Sequence, residues 1–372
     1  MKILHFTGLR LGAAYPDWPE AGERIRKLSG SLLEKAFQTA AELDVSTLLC
    51  TGDLFDSNTV SLPDAHHVVD VCKRFPKQTL VVLPGGRDPW APYCAHRHLG
   101  GHRAANLVVL FPESACPTSF APGLWIYALP EDASQTGPRS LKQLERRTDP
   151  GWHIAVAYGN RGRLQPGPEE GLVMAPVEVA NHPFDYLALA DGGAAERIGT
   201  TRRPACYAAP LVSLEPATGL QAGASWVINL SGPEPVVEPV RLESISQNSI
   251  ELDVSGLPSV SAIAQAIRRQ AGAGTLFDVR LVGTRPATSP ILEPELAAFC
   301  ADDLLGVRIA DETRLTAPED SRNSPPVLRA LWQAYSEGAE AERGALKDAI
   351  KLAAAGRLNP SQWREAPWAR SS

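Results

Sequence analysis

An α/β sandwich flanked by helices, followed by a small α+β unit and a carboxy-terminal helical pair, is the fold class this sequence predicts. Three observations lead there. Through the first half, short apolar runs alternate with stretches whose apolar residues recur at helical spacing. Most of those runs end in loops rich in Gly and Asp. After residue 243 the alternation restarts on a smaller scale, and two helical stretches follow a Pro- and Ser-containing segment. A chain of 372 residues is also more than one core usually holds.

The elements follow in order. Lys2–Thr7 reads as a strand, and residues 23–43 carry Ile25, Leu28, Leu32, Leu33, Ala36, Phe37 and Ala40 at helical spacing. Val45–Cys50 is a second strand, residues 65–75 a helix, and Thr79–Leu83 a third strand. Residues 107–111, 125–129, 154–158 and 186–190 are further strands. In open α/β sheets functional groups gather beyond the carboxyl ends of strands. Here those ends are Gly8-Leu9-Arg10, Gly52 to Asp56, Gly85 to Asp88, Gly159-Asn160 and Asp191 to Gly193, which predicts one site fed by five loops.

The second part holds a strand at 250–254, a helix at 260–270, strands at 276–282 and 306–310, and a helix at 293–300 between them. Residues 317–326 read as a linker. Residues 327–335 and 340–355 then carry the apolar stripes Leu328, Leu331, Tyr335 and Leu346, Ile350, and are too short to stand alone, so they must pack on something. The expected domains are 1–243, 244–316 and 317–372, the last comprising linker, helical pair and a tail with Trp363 and Trp368.

Composition sets limits. Hydrophobic residues are 44% and charged residues 21%, which is ordinary globular composition. A net charge of -6 argues against a wholly basic nucleic-acid binder, though a local basic patch could still act. The amino terminus turns polar at once, and no run is apolar enough to span a bilayer, so the expected location is the cytoplasm with no membrane partner. Cys50, Cys72, Cys94, Cys116, Cys206 and Cys300 form no C-x-x-C pair and read as reduced, buried thiols. His66 and His67 diverge on a helix and read as packing or surface residues. His96, His98 and His102, with Arg97 and Arg103, read as a solvated basic loop, with DNA phosphate contact as the rarer alternative.

Five motifs, in order, resemble the calcineurin-like metallophosphoesterases, and among them the SbcD type of DNA-repair exonuclease subunit. A family strand ending H-T-S-D-x-H-L-G matches His5 to Gly12. The motif G-D-L-F-D is intact at Gly52 to Asp56. P-G-N-H-D corresponds to Pro84-Gly85-Gly86-Arg87-Asp88, a strand ending His-Gly to Tyr158-Gly159, and F-D-Y-x-A-L-G-H-x-H to Phe184 through Gly193. The tyrosine that begins the next family strand matches Tyr207. The resemblance covers the first domain by motif and the second only by architecture. It implies a metallophosphoesterase β-sandwich, a capping domain over 244–316, and a helical pair that docks on an SbcC-type ATPase. DNA and a second copy of the chain stay open as partners.

The family holds two Mn ions with Asp, His and Asn side chains from these loops. Carried over residue by residue, the ligand positions are Gly8, Arg10, Asp53, Gly86, Arg87, Tyr158, Asp191 and Gly193, with Asp88 as an accessory carboxylate. Of the ligands only the bridging Asp53 remains. Gly offers no side-chain ligand and Arg has no lone pair to give. The resemblance therefore implies a vestigial site with no metal and no confident catalytic residue, in a non-catalytic subunit or scaffold of DNA processing. Two alternatives stand beside it: an active phosphodiesterase or exonuclease with a site rebuilt on Asp53 and Asp191, helped by His153 or His182, and an interaction protein unrelated to DNA. Asp53 and Asp88 read most simply as loop-bracing side chains. Arg10 and Arg87 read either as cations that pair with Asp53, Asp88 and Asp191 or bind phosphate, or as arginines that drifted to the surface.

Overall fold

The computed structural model describes residues 1–100, 104–112, 118–134, 139–161, 173–214, 222–270, 274–301, 303–317 and 324–357. The chain divides into two compact units, Met1–Gln247 and Asn248–Ser372.

The first unit is the helix-flanked α/β sandwich that the sequence predicts. Its first sheet runs Val236–Arg241, Ala224–Asn229, Lys2–Phe6, Thr47–Thr51, Thr79–Leu83, Leu107–Val109. The last four strands are mutually parallel, while Ala224–Asn229 pairs antiparallel with Lys2–Phe6 and with Val236–Arg241. The second sheet runs Glu196–Gly199, Pro204–Tyr207, Tyr186–Ala190, Trp152–Tyr158, Leu124–Leu129, Thr118–Ala121. Its middle four strands are parallel. Thr47–Thr51 is buried throughout, the unbroken pattern expected of a parallel strand covered on both faces.

The two sheets meet through a core in which Ile3, Leu49, Val81 and Leu83 pack with Ile126, Ile154, Val156 and Ala188. Burying each such large aliphatic side chain contributes about 1.5–3 kcal/mol. One polar bridge crosses this core. Buried His5 places Nδ1 2.8 Å from the Tyr186 hydroxyl and Nε2 2.9 Å from the Thr51 hydroxyl. Helix Gly22–Glu42 buries Ile25, Leu32, Leu33, Ala36, Phe37 and Ala40, the stripe its spacing predicts. Helix Leu62–Arg74 starts where Ser61 accepts a hydrogen bond from the Asp64 amide and Pro63 occupies the first turn, and it ends with Lys73 and Arg74 at its negative pole.

Tyr207 ends the strand Pro204–Tyr207, whereas the sequence reading placed it at a strand's beginning. The hairpin of Ala224–Asn229 and Val236–Arg241 also escaped that reading, because Pro239 interrupts its second strand.

The chain enters the second unit within the strand Ile245–Asp253. That strand shares a sheet with Thr275–Val282 and Gly306–Asp311. Helices Val260–Arg268 and Glu293–Cys300 supply Ile263, Ile267 and Leu296 to a core with Phe277, Val279 and Leu281. Helices Pro326–Glu337 and Glu340–Ala354 form one cluster with Ala287 and Leu315 through Leu328, Leu331, Leu346 and Ile350. The tail with Trp363 and Trp368, and Cys116, His102 and Arg103, lie outside the described residues. No described helix is long and apolar enough to cross a membrane. Cys50, Cys72, Cys94, Cys206 and Cys300 are free and buried.

Candidate functional site

The carboxyl ends of the parallel strands bring the loops together. The first two are zipped by backbone bonds: Gly8 N–H to Gly52 O at 3.1 Å, Arg10 N–H to Asp53 O at 3.0 Å, and Leu11 N–H to Leu54 O at 2.9 Å. Arg10 and Asp53 adopt positive φ, 51° and 53°, a costly conformation for side-chain-bearing residues that this zipper holds in place.

Asp88 is fully buried and braces the loops from behind. One oxygen accepts the amides of Asp53 (3.1 Å) and Gly85 (2.9 Å), and the other accepts that of Phe55 (2.9 Å). His96 Nε2 lies 3.1 Å from the same carboxylate. The reading of His96 as part of a solvated loop is thus corrected: it is 1% exposed. Its hydrophobic surroundings, including the Phe55 ring, come from residues distant in sequence.

Asp53 is 5% exposed and both its oxygens are engaged. The Arg87 backbone N–H donates to one at 2.8 Å and the Tyr158 hydroxyl donates to the other at 2.8 Å. Burial, then the neighbouring Asp88, raises the Asp53 carboxyl to about 6, and these two hydrogen bonds oppose the rise. Burial and the Asp53 carboxylate push the Tyr158 phenol well up, so it is a donor throughout the working pH range.

The Tyr158 ring occupies the space between the second and third loops. A Cβ added at Gly52 would stand 2.3 Å from it, and one at Gly86 would stand 2.9 Å from it. A Cβ at Gly8, which has φ +68°, would stand 2.4 Å from the Pro210 Cβ. Side chains larger than hydrogen at positions 8 and 86 therefore require these neighbours to shift. Asp191 sits on the adjoining loop, where its Oδ1 accepts the Gly193 amide at 2.8 Å.

The arginines correct the expected pairing. Neither side chain binds Asp53, Asp88 or Asp191 in a salt bridge; both converge on Asp56. Arg10 Nε donates to Asp56 Oδ1 at 2.8 Å, and Arg87 Nη1 lies 3.4 Å from the same oxygen. The reason is distance along the loop. Asp53 is buried and held by the Arg87 amide and the Tyr158 hydroxyl, while Asp56, three residues on, is 26% exposed and stands beside both guanidinium groups. Asp56 was legible as the last residue of the intact G-D-L-F-D run but was not singled out.

His153 and His182 belong elsewhere. His153 Nδ1 is 2.7 Å from the Tyr127 hydroxyl and Nε2 is 2.8 Å from the Asp149 carbonyl oxygen. His182 Nε2 is 3.1 Å from the Arg203 carbonyl oxygen, and burial lowers its pKa to about 4.

These residues do not fit the two-metal centre that the resemblance implies: both Asp53 oxygens are hydrogen-bonded, the Tyr158 ring fills the gap between loops, and Arg10 and Arg87 bring cations rather than lone pairs. Among the described residues no group of three or more His, Cys, Asp or Glu side chains could hold a metal ion.

No family model and no curated protein matches the chain. Among solved structures, the chain is similar to the crystal structure of TT1561 of Thermus thermophilus, at 11% identity and a TM-score of 0.39, over 64% of this chain and 99% of that one. The fold assignment therefore rests on the sheet order and strand directions above.

Proposed function

We propose that this chain is a non-catalytic relative of the SbcD phosphoesterases that serves as a scaffold in DNA processing. The observation that carries the reading is the Tyr158–Asp53 contact, with the phenol ring set between Gly52 and Gly86. A family histidine at position 158 would present a lone pair to a metal. Tyrosine there instead presents a proton to the one remaining bridging carboxylate. Two-metal phosphodiester hydrolysis needs ions that both activate water and stabilise the transferring phosphoryl oxygens. The side chains gathered here are built for neither.

The proposed partner is an SbcC-type ATPase, engaged by the helices Pro326–Glu337 and Glu340–Ala354. Their exposed apolar residues Val327 and Leu352, each 41% exposed, support this reading.

The test uses the full chain. Incubated with Mn²⁺, it should show no saturating metal uptake by elemental analysis and no Mn²⁺-dependent hydrolysis of a chromogenic phosphodiester. Two tightly held Mn ions, with hydrolysis lost in Asp53→Asn, would overturn the proposal. The partner half is tested by co-purification with an SbcC-type ATPase from the same genome. Val327→Asp and Leu352→Asp should break that complex while leaving the fold intact by circular dichroism.

A further inference from the structure

Beside the sealed Asp53 pocket lies a second concavity, of about 270 Å³, lined in part by Arg10, Tyr15, Asp17, Asp56 and Arg87. Trp18 and Gln247 also line it, and the indole N–H donates to the Gln247 side-chain Oε1 at 3.2 Å. Ligand pockets commonly span about 300–1,000 Å³, so this one suits a small head group rather than an extended molecule.

Its donors are only partly used. A guanidinium carries five N–H groups in a planar fork. Arg10 commits Nε to Asp56 and Arg87 reaches the same oxygen at the long distance of 3.4 Å. Asp56 is the side-chain partner of both among the described residues, so two cations share one carboxylate and keep most of their donors. Arg10 is nearly covered, with a side-chain exposure of 15%, and is therefore held in place rather than sweeping through solvent.

A second, independent feature lies in the wall of the same pocket. Tyr15 is 4% exposed, and its hydroxyl makes no hydrogen bond among the described residues. The nearby Ser29 hydroxyl gives its own proton to the Leu9 carbonyl oxygen at 3.0 Å. Buried hydroxyls nearly always have a partner, and this one has only the neighbouring Ser29 hydroxyl beside it, so its proton is not committed to a carbonyl or a charge. Burial pushes the phenol up, so it stays protonated and can donate. Tyr15 also holds φ +52°, so its backbone, like that of Arg10, is kept in a conformation that local propensity alone does not favour.

We propose that this pocket binds a phosphate monoester, with Arg10 and Arg87 on its oxygens and the Tyr15 hydroxyl as a further donor. A tetrahedral dianion accepts from several directions at once, which suits two forks and a phenol better than a planar carboxylate would. Asp17 and Asp56 oppose any anion. Asp56 is neutralised by the arginines it holds, and Asp17 is exposed, where solvent screens its charge. The inference goes beyond the scaffold reading and stands without it, because the pocket's chemistry is the same whether or not the chain works on DNA.

The phosphate could belong to a small molecule or to the end of a nucleic-acid strand, and the experiment separates them. Calorimetric titration of the full chain at fixed ionic strength uses inorganic phosphate, a nucleoside 5′-monophosphate and the unphosphorylated nucleoside. Both phosphates should bind saturably and the nucleoside should not. Arg10→Ala and Arg87→Ala should each weaken binding by about tenfold or more, and Tyr15→Phe by a smaller factor of about threefold. Arg87, with its side chain 39% exposed, can be replaced without disturbing the core, so its variant stays informative if Arg10→Ala misfolds. Oligonucleotides with a 5′-phosphate or a 5′-hydroxyl then assign the source. A preference for the phosphorylated strand that vanishes in Arg87→Ala supports the site with a strand end as its ligand. Equal affinity for the two strands, alongside tight mononucleotide binding, supports it with a small molecule. No saturable phosphate binding by the wild type, or unchanged binding by folded Arg87→Ala, overturns the proposal.

Discussion

Each unit holds a carboxylate between two cations, and the two clusters are built in opposite ways. In the second unit Asp311, 1% exposed at its side chain, lies 3.0 Å from Lys347 Nζ and 2.8 Å from Lys351 Nζ. Lys347 also donates to the Asp311 and Thr313 carbonyl oxygens at 2.8 and 2.7 Å, and Lys351 reaches Glu293 at 2.6 Å. Burial pushes the Asp311 carboxyl up, but hydrogen bonds from Lys351, Thr313 and Lys347 more than reverse this, and its pKa lies below the ordinary carboxylate value. In the first unit Asp56 is 26% exposed, and the arginines on it keep most of their donors. A cluster whose charges are all met inside the protein acts as a clasp, here fixing the helix Glu340–Ala354 to the end of the strand Gly306–Asp311. A cluster with surplus donors beside a cavity is placed to take a ligand. The two differ chiefly in burial and in how many bonds each charge already makes, since both set one aspartate between two cations.

The largest effect is expected at the clasp. Lys351→Met leaves buried Asp311 with one cation instead of two and Glu293 without its partner, so it should cost about 3 kcal/mol in denaturant unfolding, the low end for a broken buried pair. Because Asp311 holds its proton less readily folded than unfolded, the stability it adds is present above the ordinary carboxylate pKa and fades as pH falls below it. A loss under about 1 kcal/mol at pH 7 would place the clasp in the same class as the open cluster.

A smaller effect is expected at the sealed pocket between these extremes. Tyr158→Phe removes one of the two donors to Asp53 and should cost about 1–3 kcal/mol at pH 8. The Asp53 carboxyl is raised to about 6 from 3.8, so the folded state binds the extra proton and the wild-type contribution falls as pH rises through that window. The Tyr158→Phe penalty should therefore shrink near pH 5, where Asp53 is largely protonated. Unfolding curves at the two pH values that give the same penalty would remove Asp53 ionisation from the account.

The smallest effect belongs to the open cluster. A double-mutant cycle on Arg10→Ala and Asp56→Ala should give a coupling of about 0.2–1 kcal/mol, as for partly exposed pairs. The cycle on Arg87→Ala and Asp53→Ala should give still less, because Asp53 is held by the Arg87 backbone amide, which the substitution keeps. A coupling above about 2 kcal/mol for Arg10 and Asp56 would make that cluster a second clasp and sharpen the case against a ligand.

Much of this was legible in the sequence. The strands Thr79–Leu83 and Tyr186–Ala190 and the helix Glu293–Cys300 have the bounds their apolar patterns predict. The loops at 8–10, 52–56, 85–88 and 191–193 do follow strand ends; of the expected loop at 159–160, Gly159 follows the strand Trp152–Tyr158 but Asn160 already begins the strand Asn160–Arg161. Alternation and helical periodicity are local signals, and buried parallel strands write them strongly. What the sequence by itself determined, then, is which residues reach the strand ends, including Asp53, Tyr158, Arg10 and Arg87. Tertiary structure alone decided what they do there. Tyr158 meets Asp53 across 105 positions of sequence, and Arg10 meets Asp56 across 46. Those pairings accompany positive φ at residues 10 and 53, a conformation that Asp tolerates and Arg rarely adopts, and that the backbone zipper between two loops holds. A side chain's direction at a loop is set by the neighbouring loop's hydrogen bonds, and that information is not written at the residue itself.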